Sequence, residues 1–251
     1  MTSHTVLWVV VPLLIIGVGL FGFFRFPRGA RLINELRPKP SLTDLNAWEI
    51  GPILPNAGNM SKNMPLHPAP LDNALFVIDM PTPTSEPHYV TIDHGPLTGK
   101  TSIRLKGRAE GGPFLAKDGV SPADLCLYFE RQFDDWDATI VPEPGHGSGD
   151  LNQGTEYYRW FATPVALAPL VAGDFDITAR LTDKWTALRA ADEVSDASED
   201  SLNPNEGARY FKQAIDNAGQ VGFVLGGGDG WGHGIIATKP SRIIIYSFEI
   251  N

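Results

Sequence analysis

Leu125-Cys126-Leu127-Tyr128-Phe129-Glu130-Arg131-Gln132 carries the clearest evidence of fold class in this chain. Its side chains alternate, with Leu125, Leu127 and Phe129 on one face, and a period of two is the signature of a strand with one face in a core. The same alternation returns in Thr101–Lys106, where Ile103 and Leu105 share a face. It returns again in Asp174–Leu181, which turns Phe175, Ile177, Ala179 and Leu181 to one side. Short runs rich in β-branched or aromatic residues complete the set: Ala74–Asp79, His88–Ile92, Glu156–Thr163, Val221–Leu225, Gly234–Ala237 and Arg242–Ile250. Trp48-Glu49-Ile50 opens the series, and residues 51–70, rich in Pro, Asn, Gly and Met, read as a long loop.

One segment has helical spacing. Asn205–Asn217 places Ala208, Phe211 and Ile215 on a common face, with Gly219 as a stop. About nine strands and one short helix predict an antiparallel jelly-roll β-sandwich over residues 46–251. A parallel sheet would need alternating helices, which the pattern lacks. Composition agrees: 26 Gly and 21 Pro in 251 residues suit a turn-rich β protein. The single Cys excludes an internal disulfide framework and a Cys-based zinc site. Placed inside an alternating strand, Cys126 reads as a buried thiol rather than a nucleophile.

Ahead of this body, Val6–Phe24 runs for 19 residues without a charge. A helix of that length spans ~28 Å, close to the thickness of bilayer hydrocarbon. The five residues before it carry no Lys or Arg, and bulky and basic residues follow it, so it reads as an uncleaved anchor rather than a signal peptide. The expected organisation is an anchor with its basic flank at 1–27, a juxtamembrane linker at 28–45 and the sandwich at 46–251. In residues 1–40, five basic residues stand against Glu35 and leave a net +4; the chain total is −9, so the rest carries −13. An acidic body of that size argues against general nucleic-acid binding. Arg25, Arg28 and Arg31 follow the apolar run, and the positive-inside rule then keeps the body in the cytoplasm. A periplasmic or extracellular body is the alternative.

Two loop segments combine Trp with Asp. Phe133–Asp137 (FDDWD) carries Asp135 and Trp136, and Gly226–Gly234 (GGGDGWGHG) carries Asp229, Trp231 and His233. The glycine-rich segment lacks the Lys-Ser/Thr and following helix of a phosphate loop, and between VGFVL and GIIAT it reads as a β-hairpin loop. A Trp face stacks on a sugar ring while Asp and His bond its hydroxyls, so Asp135, Trp136, Asp229, Trp231 and His233 are the candidate ligand residues. FDDWD lacks the Gly bend and terminal Glu of a calcium loop. The histidines show no zinc spacing, and G-x-S-x-G is absent, so no catalytic residue, metal or cofactor is assigned. Tyr158 and Trp160 share one strand face, with Tyr157, Arg159 and Phe161 on the other, where Arg159 is placed to meet an acidic group.

An early Trp48, aromatic strands, the Trp-bearing Lys184–Leu188, the glycine-rich segment and a closing apolar strand together resemble galactose-binding-like jelly rolls and carbohydrate-binding modules. The resemblance covers about residues 46–251 at the level of fold. It implies a membrane-anchored binding module for a glycan or a partner protein. A structural accessory subunit of a membrane complex is the first alternative and a carbohydrate-active enzyme the second; the absence of a complete catalytic constellation favours a non-enzyme.

Overall fold

In chain order the strands are β1 (Trp48–Gly51), β2 (Ile53–Leu54), β3 (Gly58–Asn59), β4 (Phe76–Met80), β5 (Tyr89–Asp93), β6 (Ser102–Glu110), β7 (Phe114–Ala116) and β8 (Asp124–Arg131). They continue as β9 (Arg159–Phe161), β10 (Leu167–Pro169), β11 (Gly173–Arg180), β12 (Thr186–Leu188), β13 (Ala218–Gly226), β14 (Ile235–Ala237) and β15 (Ser241–Ile250). The one α-helix among the described residues, α1, is Pro204–Asp216. The computed structural model describes residues 38–51, 53–54, 58–131, 159–162, 167–188, 204–228 and 232–251. Pro38 apart, these fall in one compact unit, Lys39–Gln132 and Leu151–Asn251. The expected anchor, Val6–Phe24, and Arg25, Arg28 and Arg31 lie outside the described residues. Among the described residues no helix is long and apolar enough to cross a membrane.

Among the described residues all strand pairings are antiparallel. One sheet has seven strands in the order β1-β5-β13-β8-β9-β12, with β10 also on β8; a second has four, in the order β11-β6-β15-β4. The alternation in β8 explains the layering. Leu125, Leu127 and Phe129 stand opposite Leu225, Phe223 and Val221 of β13, and these join the core shared with the smaller sheet. Trp48 of β1 bridges the layers: its ring lies 5.0 Å from Phe76 of β4 and 5.1 Å from Phe248 of β15. Its indole Nε1–H donates to Leu42 O at 2.9 Å, so Leu42 and Leu45, ahead of β1, already pack on the core.

The helix closes one end of this core. Phe211 sets its ring 4.9 Å from Trp160, 5.8 Å from Phe129 and 6.2 Å from Trp185. Ala214 is buried and Ile215 partly so, whereas Ala208, expected on the same face, is exposed. Among the described side chains of the helix, Phe211, Ala214 and Ile215 are the ones that meet the sandwich.

The strand runs expected from periodicity are present and their ends move by a few residues, except that of Glu156–Thr163 only 159–162 are described, so Tyr157 and Tyr158 lie outside the described residues. Five elements carry no legible period: β2 and β3, inside the run 51–70 expected to be a loop, are two residues long, and β7, β10 and β12 are three, too short to alternate visibly. The glycine-rich segment is not a hairpin loop. β13 pairs with β5 and β8, while β14 pairs with β7 in a separate two-stranded sheet. The segment is therefore a connection between sheets.

Candidate functional site

Ser85-Glu86-Pro87-His88, just before β5, is the anchoring point of the glycine-rich segment. Extended backbone sends residues i and i+2 to one side, so Glu86 and His88 face the same way. His88 is 3% exposed. Its Nε2 lies 2.8 Å from Glu86 Oε1 and its Nδ1 3.0 Å from Gly232 O. Both neighbours are acceptors, so the neutral ring makes one of these bonds and the imidazolium makes both. Lys117 Nζ approaches Glu86 Oε1 at 3.3 Å and Lys62 Nζ approaches Oε2 at 3.8 Å. Backbone bonds complete the knot: Lys62 and Glu86 exchange N–H···O bonds of 3.0 and 2.9 Å. Ser61 Oγ donates to Gly51 O at 2.8 Å and accepts the His88 N–H at 3.0 Å.

The segment leans on this knot through absent side chains. A Cβ on Gly234, whose φ is +91°, would sit 2.6 Å from His88 Nε2. A Cβ on Gly232 would sit 2.4 Å from the Tyr89 hydroxyl. At the other end Gly228 rests on the turn Asp118–Ser121, with Asp118 Oδ2 2.8 Å from a Cβ position. The Asp118 carboxylate is itself held by the Val120 and Ser121 N–H groups, each at 2.8 Å. His233, between two seated glycines, is exposed. Asp229 and Trp231 on this segment, and Asp135 and Trp136 on the other, lie outside the described residues. The pairing of β8 with β13 does decide where the two segments start. Arg131 stands opposite Ala218 and Asp124 opposite Gly226, so β8 and β13 run out at opposite ends of the sheet.

A second polar cluster lies on the face of the seven-stranded sheet that points away from the sandwich core. Tyr128 donates its hydroxyl to Glu130, and Arg159 Nε lies 3.5 Å from Glu130 Oε2. The Arg159 guanidinium also sits 5.6 Å from the Tyr89 ring centre, and Tyr89 meets Tyr128 edge to face at 5.2 Å. The acidic group that Arg159 meets is thus Glu130. Burial pushes the Glu130 carboxyl above the usual carboxylate range and the Tyr128 hydroxyl far above its own. Cys126, on the same face and buried, is also pushed up by burial and stays a thiol. Among the described residues no group of three or more His, Cys, Asp and Glu is arranged to hold a metal.

Glu86 and His88 make the knot acid-sensitive. Burial raises the Glu86 carboxyl, but hydrogen bonds from His88 and Lys117 outweigh it and hold the pKa below the usual value. Burial lowers the His88 imidazole more than Glu86 raises it. In each case the unfolded chain takes up protons more readily, so stability is present near neutral pH and is lost as pH falls. Glu86→Gln is expected to lower stability at pH 7 by about 1–3 kcal/mol, the scale of disrupting a buried charged hydrogen bond. Urea unfolding from pH 7 to pH 3 checks this, and the gap to wild type should shrink below about pH 4, where carboxylates protonate.

In the sequence His88 is one of several dispersed histidines without zinc spacing, and Glu86 belongs to no motif. The available signal was the Glu-x-His spacing immediately ahead of a strand. No protein family, curated protein or solved structure matches the chain.

Proposed function

We propose that this chain is a membrane-tethered β-sandwich of jelly-roll type that binds a glycan through the segment Gly226–Gly234. The connectivity supports the jelly-roll reading, because the chain crosses repeatedly between the two sheets: β4 to β5, β6 to β8, β10 to β11, and β13 to β15. One observation carries the binding reading. The described glycines at both ends of the segment lie close against fixed neighbours, Gly228 against Asp118 and Ser121, and Gly232 and Gly234 against Tyr89 and His88, with His88 Nδ1 3.0 Å from Gly232 O. Between and beside these glycines the sequence carries Asp229, Trp231 and His233, and a Trp together with hydrogen-bonding groups is the chemistry that a sugar ring calls for. Asp135 and Trp136 follow the other end of β8 and form a separate arm of the test.

Trp231→Ala is expected to weaken glycan binding by about 1–3 kcal/mol, the scale of losing one buried aromatic contact. Its melting temperature should match wild type. Glycan-array binding and thermal unfolding of a single preparation decide between this and a packing role, in which the melting temperature drops instead. A wild-type chain that binds no glycan, with a destabilised Trp231→Ala, would turn the reading to an accessory subunit. Asp135→Asn and Trp136→Ala, measured alongside, report whether the second segment contributes.

A further inference from the structure

The neutral ring of His88 has one N–H and two acceptors to serve. The Glu86 carboxylate is ionised near neutral pH, because hydrogen bonds from His88 and Lys117 hold it below the usual carboxylate range. A hydrogen bond to a charged acceptor is roughly twice as strong as one to a neutral acceptor. The single proton therefore sits on Nε2, which donates to Glu86 Oε1 at 2.8 Å. Nδ1 then turns a lone pair on the Gly232 carbonyl oxygen, 3.0 Å away. Two acceptors at that distance repel each other. Water serves Nδ1 in either state, donating to the lone pair or accepting from an N–H, whereas the Gly232 carbonyl serves only the N–H.

The backbone around the ring decides which contact yields. The Nε2 side is covered by Gly234, which is fixed independently of His88: its N–H donates to Leu225 O at 3.0 Å, and that of Ile235 donates to Pro87 O at 3.2 Å. Glu86 is fixed as well, by the backbone bonds it exchanges with Lys62 and by Lys117 Nζ at 3.3 Å. Gly232, two residues ahead of Gly234, meets the ring through its carbonyl oxygen. With both neighbours of Nε2 held in place, the contact free to open and close is the one at Nδ1.

We propose that the contact between His88 and Gly232 is a proton-operated latch: a proton taken up on Nδ1 fastens the Gly232 carbonyl to the sheet, and its loss releases that carbonyl. The charged ring donates from both nitrogens at once, to Glu86 and to Gly232 O. The groups facing the ring come from several elements. Glu86, on the same extended backbone, favours the second proton. Lys117, which follows β7, opposes it, and Lys62 reaches the other Glu86 oxygen at 3.8 Å. The Tyr89 hydroxyl lies against Gly232, and His233 is exposed. Burial holds the ring below the ordinary imidazole value, so the latch closes in mild acid. Unfolding hydrates the whole ring, whereas lifting Gly232 opens its Nδ1 side alone. Acid therefore lowers the stability of the whole chain while it fastens this one contact. The latch is a property of the knot and is independent of the glycan reading.

The full-length chain carrying His146→Gln keeps a single Gly-His pair, Gly232-His233. Labelled with 13C-carbonyl glycine and 15N-histidine and solubilised in micelles, it gives one resonance for the Gly232 carbonyl. Between about pH 8 and about pH 5, on either side of the ordinary imidazole value, that resonance is expected to move downfield as the carbonyl gains a hydrogen bond. It should move in step with the His88 ring nitrogens, which pass from Nε2 alone protonated to both. Glu86→Gln, added to this chain, separates the latch from a merely structural contact. A Gln side-chain amide donates to Nε2, so the neutral ring carries its proton on Nδ1 and holds Gly232 O throughout. The carbonyl resonance should then stay downfield and lose its pH dependence. A carbonyl that does not move with His88, a neutral ring already protonated on Nδ1 in the parent, or a Glu86→Gln chain that keeps the parent titration would each overturn the proposal.

Discussion

Gly222→Ala is expected to be among the most destructive single substitutions in this chain. Gly222 lies in the middle of β13, between Thr91 of β5 and Tyr128 of β8. A Cβ there would sit 2.0 Å from the Val90 carbonyl oxygen and 2.9 Å from Thr91 Cα. Both obstacles are backbone, held in a ladder with neighbours on either side, so neither swings away as a long side chain would. Relief requires β5 to separate from β13, which breaks ladder bonds over the core. Overpacking of a well-filled interior typically costs about 1–3 kcal/mol, and a clash with backbone belongs at or above the top of that range. Chemical denaturation should show a large fall in midpoint. Gly99→Ala is the control for a milder effect: its φ is +81°, but nothing lies within 4 Å of a Cβ there.

Trp48→Ala is expected to be comparable, at about 3–5 kcal/mol. Trp48 is fully buried and joins the two layers through Phe76 and Phe248. Truncation leaves a cavity between sheets that the paired strands cannot collapse to fill. It also frees Leu42 O from the indole N–H, the bond that draws the chain ahead of β1 onto the core. Trp48→Phe separates the two contributions, because it keeps much of the ring contact and loses the hydrogen bond. Its loss should be the smaller of the two in a calorimetric scan, and equal losses would show that the hydrogen bond, not the volume, dominates.

Much of the architecture is legible in residues. Ile103 and Leu105, or Leu125, Leu127 and Phe129, alternate because one face of their strand is in a core, and the period is a local property of the chain. The helix at Phe211 and Ile215 is legible for the same reason at a period of 3.6. What stays hidden is pairing. Nothing local in Val221–Leu225 or Gly234–Ala237 distinguishes two strands of one hairpin from strands of two different sheets. That choice depends on β5, β7 and β8, which lie about a hundred residues or more earlier in the chain.

The candidate site divides along the same line. Asp229, Trp231 and His233 fall on one glycine-rich segment by covalent order alone, and strand alternation alone puts Arg159 on a face with whatever acid lies across from it. That the segment is seated on Glu86 and His88, and that the acid is Glu130, follows from the assembled sheets. Hydrogen bonds such as His88 Nδ1 to Gly232 O join residues 144 positions apart. The free energy of such contacts is set by burial and by the geometry of the surrounding strands, and neither exists until the sheets have assembled.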